Sequence, residues 1–262
     1  MKTVVIIPAR NKSTRLPGKI FKDIEGKPLL QRVIERIKRA KRINQVVIAT
    51  TRSYEDKSIV EFAKKNGLKY VQGSEEDVLS RFVLAAKKTG ADIIVRITAD
   101  CPLIDPEIID KAIEQFFKDK LDYISNATTK RSFPRGLDVE VFSKEALRKA
   151  NRLGKEKRHR EHVTAFIYEN PQMFKIGYLL AEGVLKRPDI RLCVDTEEDI
   201  TLIRKIYKRF LEDNTVDIAK VIDFLDNNPE LIEINRKSEL EHLEKNRREG
   251  IKQEFIRRHL SK

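Results

Sequence analysis

From Thr3 to Thr98 the chain alternates short, wholly apolar runs with longer segments of helical periodicity. Thr3–Pro8, Gln45–Thr50, Lys69–Val71 and Asp92–Thr98 read as strands. Pro28–Ala40, Tyr54–Asn66 and Glu75–Lys88 read as the helices between them; a proline sits in the first turn of one, and Gly67 and Gly90 stop the other two. Strands this apolar are buried on both faces, and helical crossovers between them build a parallel sheet with helices on each side. The class is therefore α/β. Beyond Thr98 the spacing is less regular. Helices are expected over Pro106–Lys118, from Ser143, from Arg158, over Thr196–Glu212 and over Val216–Asn227. Strands are expected over Asp122–Ser125, Leu137–Phe142, Phe174–Leu180 and Arg191–Val194, so the sheet should finish in a mixed edge. Asn228-Pro229 interrupts the pattern.

Composition removes several alternatives. A chain of 262 residues that is 40% hydrophobic and 36% charged can bury a sizeable core and is not a disordered polymer. The early apolar run Val4–Ile7 is too short for a membrane span or a secretory signal, so no membrane anchor is expected and the cytoplasm is the default location. Cys101 and Cys193 are too few for a disulfide framework and lack zinc-site spacing. The formal charge of +13 invites a nucleic-acid reading. However, the chain has no tryptophan, and its dense basic runs, Lys38–Arg42 and Lys155–Arg160, carry no interleaved aromatics on which bases would stack. Nucleic acid is not the expected partner; a basic surface that attracts a nucleoside triphosphate explains the charge equally well.

In open α/β sheets, ligands bind beyond the carboxyl ends of the strands. Three loops there carry chemistry. The first, Pro8 to Lys19, holds Arg10, Lys12, Arg15 and Lys19, the hydroxyls of Ser13 and Thr14, and a flexible Gly18, which suits a polyphosphate. It is neither a Walker loop nor a dinucleotide fingerprint, because the required glycines are missing. The second presents Asp100 after the fourth strand. The third presents Asp195, where a capping box with Glu198 is expected. If these two strand ends are neighbours, Asp100 and Asp195 can share a hard divalent cation with substrate phosphates.

These segments carry a family resemblance. Val5–Arg10, Ser13-Thr14-Arg15-Leu16-Pro17-Gly18-Lys19 and Gly26-Lys27-Pro28-Leu29-Leu30 resemble the amino-terminal signature of cytidylyltransferases that activate acidic sugars. Gly73–Leu79, Arg96–Asp105, Pro134–Val141 and Arg160–Thr164 resemble more closely the spore coat polysaccharide biosynthesis protein F branch. The likeness spans residues 1–235, which are expected to form one nucleotide-diphosphosugar-transferase domain of the glycosyltransferase A type; 236–262 are left as a charged, helical tail. The resemblance implies CTP as donor, Mg²⁺ as cofactor and a homodimer. It also implies that Ala9, Arg10, Ser13, Arg15, Lys19 and Ser74 hold the nucleotide, that Asp100 and Asp195 hold the metal, and that Arg10 and Lys19 stabilise charge in the reaction. Ala99 stands where many relatives have glycine, the smallest of departures.

The Arg135–Glu140 and Arg160–Thr164 motifs are absent from the sugar-acid enzymes, so the acceptor is open. Arg135, Asp138, Glu140, Arg160 and His162 are the expected acceptor-binding residues, since guanidinium groups suit a carboxylate or phosphate. For Arg135 and Arg160 a plain ion pair with Asp138 or Glu161 is the alternative. His159 and His162 lie three apart without a third metal ligand nearby. The expected activity is transfer of CMP from CTP to a sugar acid or related anionic acceptor for surface glycan synthesis. Transfer to a phosphorylated small molecule, use of another nucleotide, and a non-catalytic nucleotide- or RNA-binding role stay open.

Overall fold

The computed structural model describes residues 1–127, 131–210 and 216–244. Strands β1 (Thr3–Pro8), β2 (Asp23–Ile24), β3 (Lys27–Pro28), β4 (Gln45–Thr51), β5 (Lys69–Gly73), β6 (Ile93–Arg96), β7 (Tyr123–Ser125), β8 (Glu140–Ser143) and β9 (Ile176–Tyr178) alternate with helices along the chain. The first five helices are α1 (Leu29–Ile37), α2 (Lys57–Lys65), α3 (Val78–Thr89), α4 (Pro106–Lys118) and α5 (Lys144–Leu153). They are followed by α6 (Lys157–Glu161), α7 (Ala165–Tyr168), α8 (Glu197–Phe210), α9 (Ile218–Asp226) and α10 (Pro229–Glu233).

Seven strands form one sheet in the order β5-β4-β1-β6-β8-β7-β9, and β2 and β3 form a separate small hairpin. β5, β4, β1 and β6 run parallel; β8 is antiparallel to both β6 and β7, and β9 is parallel to β7. The mixed edge expected from the sequence is therefore present. Because strand side chains alternate between faces, β1 sends Val5 and Ile7 into one core and Val4 and Ile6 into another. The first core packs against α1, α4, α8 and α9; the second packs against α3 and α5. Helices thus cover both faces, and among the described residues none is long and apolar enough to cross a membrane.

Several element boundaries differ from expectation for identifiable reasons. α3 starts at Val78 because Asp77 caps it, accepting from the Ser80 N–H at 2.9 Å, which leaves residues 74–77 as a loop. β8 begins only at Glu140: ahead of it, Asn126 takes up the Val139 N–H at 2.8 Å and the Leu137 carbonyl at 2.7 Å through its side chain. The helix expected from Arg158 is broken between α6 and α7, where Val163 has a positive φ of 49°. The end of the helix expected to reach Glu212 lies outside the described residues, as do Ile251, Phe255 and Ile256 of the tail. The β2–β3 hairpin, turned at Glu25 and Gly26 with positive φ, has too few residues to show periodicity.

One expectation is corrected outright. Arg191–Val194 is not a strand; the segment makes a single parallel bridge, Arg135 to Arg191. It is held by Arg135 N–H to the Ile190 carbonyl at 2.9 Å and Leu192 N–H to the Arg135 carbonyl at 2.7 Å. Gly136 makes the crossing feasible: its φ is +102°, and a Cβ there would lie 2.6 Å from the Cys193 nitrogen. Gly136→Ala should therefore destabilise the fold by at least about 2 kcal/mol, read as a lower denaturation midpoint, because both the dihedral and the contact with backbone are forbidden.

Candidate active site

The loop after β1 is pinned at several points. Leu16 is buried in the core, Gly18 donates to the Asn11 carbonyl at 3.1 Å, and Asn11 donates through its N–H to Asp56 at 2.7 Å and through its amide to Ser58 at 2.8 Å. Gly18 turns the chain with φ +66°, and the 3-10 turn Lys19–Phe21 follows. Anchoring at these points leaves Arg10, Lys12 and Arg15 exposed at the surface and turns Lys19 inward.

The Lys19 Nζ donates to Asp100 Oδ2 at 2.7 Å, to Asp195 Oδ1 at 2.7 Å and to the Val194 carbonyl at 2.9 Å. Asp100 follows β6 and Asp195 precedes α8. Their segments are joined by Val194 N–H donating to the Asp100 carbonyl at 2.8 Å, the adjacency that sequence alone left open. Burial would pull the Lys19 pKa down, but the two carboxylates outweigh it and hold the ammonium well above the usual lysine range. Burial would likewise raise the two aspartates, yet Lys19 lowers both, with Arg15 and Arg191 adding to the effect at Asp195. Both are therefore weak bases, better suited to holding a cation than to taking a proton.

Asp195 is braced from behind. Arg191 is fully buried and donates to Asp195 Oδ2 at 2.8 Å, to both oxygens of Asp199 at 2.9 and 3.1 Å, and to Glu239 at 3.2 Å. Asp199 in turn accepts from the N–H groups of Asp195 at 2.8 Å and Thr196 at 3.0 Å, while the Thr196 hydroxyl accepts from the Asp199 N–H at 3.3 Å. The capping box is thus Thr196 with Asp199, one residue later than the expected Asp195 with Glu198. That shift frees the Asp195 carboxylate for Lys19.

Two cavities meet at Pro8, Ala9, Arg10 and Lys12. The smaller, about 290 Å³, is further lined by Ser13, Thr14, Arg15, Lys19, Asp100 and Asp195. The larger, about 500 Å³, is further lined by Glu75, Glu76, Arg81, Arg96, Lys157 and His162, among others. The expected nucleotide residues Ala9, Arg10, Ser13, Arg15 and Lys19 thus share one surface with both aspartates. The Ala9 N–H already donates to the Ala49 carbonyl at 3.2 Å. Ser74 is exposed, lines neither cavity and accepts from the Asp77 N–H at 3.1 Å, closing its own turn.

Of the five residues expected at the acceptor, only His162 lines these cavities. Arg135 is paired with Glu239 at 2.8 Å, Asp138 with both guanidinium nitrogens of Arg131 at 2.6 and 3.0 Å, and Arg160 with Asp77 at 2.6 and 3.0 Å. Both arginines form ion pairs, with other partners than the sequence offered. Glu140 is buried and accepts from Arg96, from the Tyr123 hydroxyl at 2.7 Å and from the Thr164 hydroxyl at 2.6 Å. It positions Arg96, which lines the cavity in its place. His159 is bonded to Glu169 at 3.0 Å and lines neither cavity. Sequence reading missed Arg81, Arg96, Lys157, Arg191 and Glu239. Arg96 opens a family motif, Lys157 lies in a dense basic run, and Arg191 is spaced four from Asp195 and eight from Asp199, but none of these assigns a role.

The hard-oxygen pair fits a divalent cation: both carboxylates touch one Nζ atom, so both can reach one ion, with phosphate oxygens completing its shell. No group of three or more acidic, histidine or cysteine ligands exists among the described residues, so water and substrate oxygens would complete the shell of such an ion.

A mostly parallel sheet with a basic loop after β1 and Asp100 after β6, where Asp195 is brought beside it, defines a nucleotidyltransferase of the nucleotide-diphosphosugar-transferase fold. The cytidylyltransferase family model matches residues 4–242, and the chain belongs to that family. It is 33% identical to the spore coat polysaccharide biosynthesis protein SpsF of Bacillus subtilis, over 86% of this chain and 94% of that one. It is 44% identical to an uncharacterized protein of Methanocaldococcus jannaschii, over 90% and 95%. A solved cytidylyltransferase from Leptospira borgpetersenii superposes with a TM-score of 0.83 at 34% identity, covering 88% of this chain and 97% of that one.

Two outcomes follow from this geometry. Arg191→Met should cost about 3–5 kcal/mol of stability by stranding Asp199 and Glu239, measurable by urea denaturation. Burial pushes both Cys101 and Cys193 thiols well above their usual range. Iodoacetamide at pH 8 should therefore label neither cysteine in the native protein and both in denaturant, as read by mass spectrometry.

Proposed function

We propose that this cytidylyltransferase transfers CMP from CTP to an oxygen of a sugar acid or related anionic acceptor, releasing pyrophosphate, in the synthesis of a surface polysaccharide. The observation that carries the reading is the meeting of Asp100 and Asp195 at one point beneath the basic loop. A binding module has no need of that convergence. The similarity to SpsF supports the polysaccharide context.

The acceptor's hydroxyl oxygen forms its bond to the α-phosphorus as the bond to the bridging oxygen breaks; pyrophosphate carries the electrons away, and the hydroxyl proton passes to solvent water. Negative charge therefore grows on the bridging and leaving oxygens. Arg10, Arg15 and Lys19, which line the smaller cavity, meet that charge and hold the triphosphate in line. Asp100 and Asp195 would hold Mg²⁺, which supplies further neutralisation of the phosphate oxygens. In the larger cavity Arg96, Lys157 and His162 present cationic or hydrogen-bonding groups to the acceptor's anion. The protein supplies position and charge, and no side chain is needed as a nucleophile.

Pyrophosphate release with CTP, Mg²⁺ and a panel of sugar acids and phosphorylated acceptors tests the reading. Release is expected with CTP and an anionic acceptor, and it should stop when the metal is chelated. Asp100→Ala and Asp195→Ala should each lower kcat at least about a hundredfold, on the scale of losing a main electrostatic stabiliser. Lys19→Met should do the same and should also lower stability, because Asp100 and Asp195 lose the cation between them. Full activity in either aspartate variant would refute the proposal.

A further inference from the structure

Another cavity, of about 290 Å³, shares no residue with the two catalytic ones and lies between the β2–β3 hairpin, α1 and α8. α1 lines it with Arg32, Arg36 and Arg39, whose spacing of four and then three puts them on one helix face. Lys27 and Glu35 line it too, but they answer each other at 2.8 and 3.0 Å, which leaves Glu25 as the other acid among the described lining residues. Arg32 and Arg36 are only 8% and 4% exposed, and their close partners are neutral. Arg32 donates to the Ile24 carbonyl at 2.9 and 3.0 Å and to the Glu25 carbonyl at 2.5 Å, and its guanidinium lies over the Tyr207 ring, 4.6 Å from the centroid. Its Nη1 makes no hydrogen bond among the described residues. Arg36 donates to the Ile104 and Val216 carbonyls at 2.6 and 2.7 Å, while Asp105 stands off at 3.7 Å. Burial, with Arg39 adding to it, outweighs Tyr207 and Asp105 and presses against the charge on Arg36. Carbonyls satisfy the hydrogen bonds of a guanidinium but not its charge, and a ring face answers only part of it, so two such cations side by side call for an anion.

We propose that this cavity is a second anion site, which takes a phosphate group, free as phosphate or as pyrophosphate, and through which that anion acts on the Asp100 turn. Planar guanidinium forks match phosphate oxygens, and a phosphate carries more charge than the single unit a carboxylate brings to two buried arginines. The room suffices, being equal to that of the smaller catalytic cavity. The inner wall is tied to the catalytic site: Arg36 holds the Ile104 carbonyl, and the Tyr207 hydroxyl donates to the Pro102 carbonyl at 2.6 Å. Both carbonyls belong to the turn that follows Asp100. A phosphate that draws Arg36 toward the cavity therefore loads that turn, and the position of Asp100 and occupancy of this cavity become linked. Neither the site nor the tie depends on which nucleotide the catalytic cavities take.

Hydrogen–deuterium exchange read by mass spectrometry tests it on the full chain without metal or nucleotide, in sodium phosphate, sodium pyrophosphate or sodium chloride at equal ionic strength, with calorimetry of the two phosphates. Exchange is expected to slow over residues 22–39, which hold the hairpin and α1, and to change over 101–105, with a phosphate and not with chloride. An effect of both anions assigns the site to a single phosphate group; an effect of pyrophosphate alone assigns it to a diphosphate. Arg32→Gln should weaken that binding by roughly ten- to 150-fold, the range of one hydrogen bond to a charged group, and remove the slowing over 22–39. Arg15→Gln, which alters the smaller catalytic cavity, should leave that slowing in place. If Arg32→Gln does not fold, exchange in the unaltered chain decides alone. Slowing confined to the basic loop 8–19, equal slowing in chloride, or binding untouched in a folded Arg32→Gln overturns the site and makes Arg32 and Arg36 plain struts. Slowing over 22–39 with 101–105 unchanged overturns the link to Asp100. A chain that binds the phosphate here but no CTP would sink the proposed function and leave this site standing.

Discussion

The site depends on keeping two carboxylates a few ångströms apart in a partly dry pocket. Asp100 and Asp195 would repel each other there, and Lys19 between them makes their approach tolerable. Arg191 does the same from the protein side, binding Asp195 and Asp199 at once. The two cations differ in kind. Arg191 is fully buried and spreads its donors over three carboxylates, so it is a fixed part of the scaffold. Lys19 stands at the cavity wall on a flexible stem, so its charge can follow an incoming phosphate while Arg191 continues to hold Asp195.

The sheet explains why these groups meet at all. β1 and β6 are adjacent and parallel, so the basic loop after one and the Asp100 turn after the other emerge at the same end. Asp195 arrives differently. Its segment never joins the sheet but lies across the Arg135–Gly136 loop and is fastened to Asp100 by one backbone hydrogen bond. The charged helical residues 236–244 extend that support, because Glu239 accepts from both Arg135 and Arg191. Arg135 thus acts on the site through Asp195's scaffold, at a distance from any ligand in the cavities.

Much of this was legible because parallel sheets bury both faces of their strands. Thr3–Pro8 and Gln45–Thr50 declare themselves by unbroken apolarity, and the loops that follow them then have a predictable location. The basic loop and Asp100 are readable for that reason, whereas Asp195 was placed after an expected strand, Arg191–Val194, that does not form. The rest depended on who pairs with whom, which periodicity does not encode. Arg135, Asp138, Glu140 and Arg160 have the right chemistry for an anion, but each is engaged by a protein partner, 104 residues away for Arg135 and 83 for Arg160, though only seven for Asp138. Arg81 illustrates the converse. Within an amphipathic helix it reads as an ordinary surface arginine, and only the structure shows that it is buried.

Charge distribution ties the two cavities to the net charge of the chain. Arg10, Lys12 and Arg15 stand half-exposed or more around the mouth, while Lys19, Arg81 and Arg191 lie inside. Outer cations raise the local concentration of a polyanion and are screened by salt; inner ones act only once water has been displaced. Arg10 belongs to the outer set by exposure, yet it lines both cavities and lies close enough to Arg81 to repel it. Arg10 therefore belongs to both cavities at once, so an anion drawn to the mouth lies beside the inner cations as well as the outer ones.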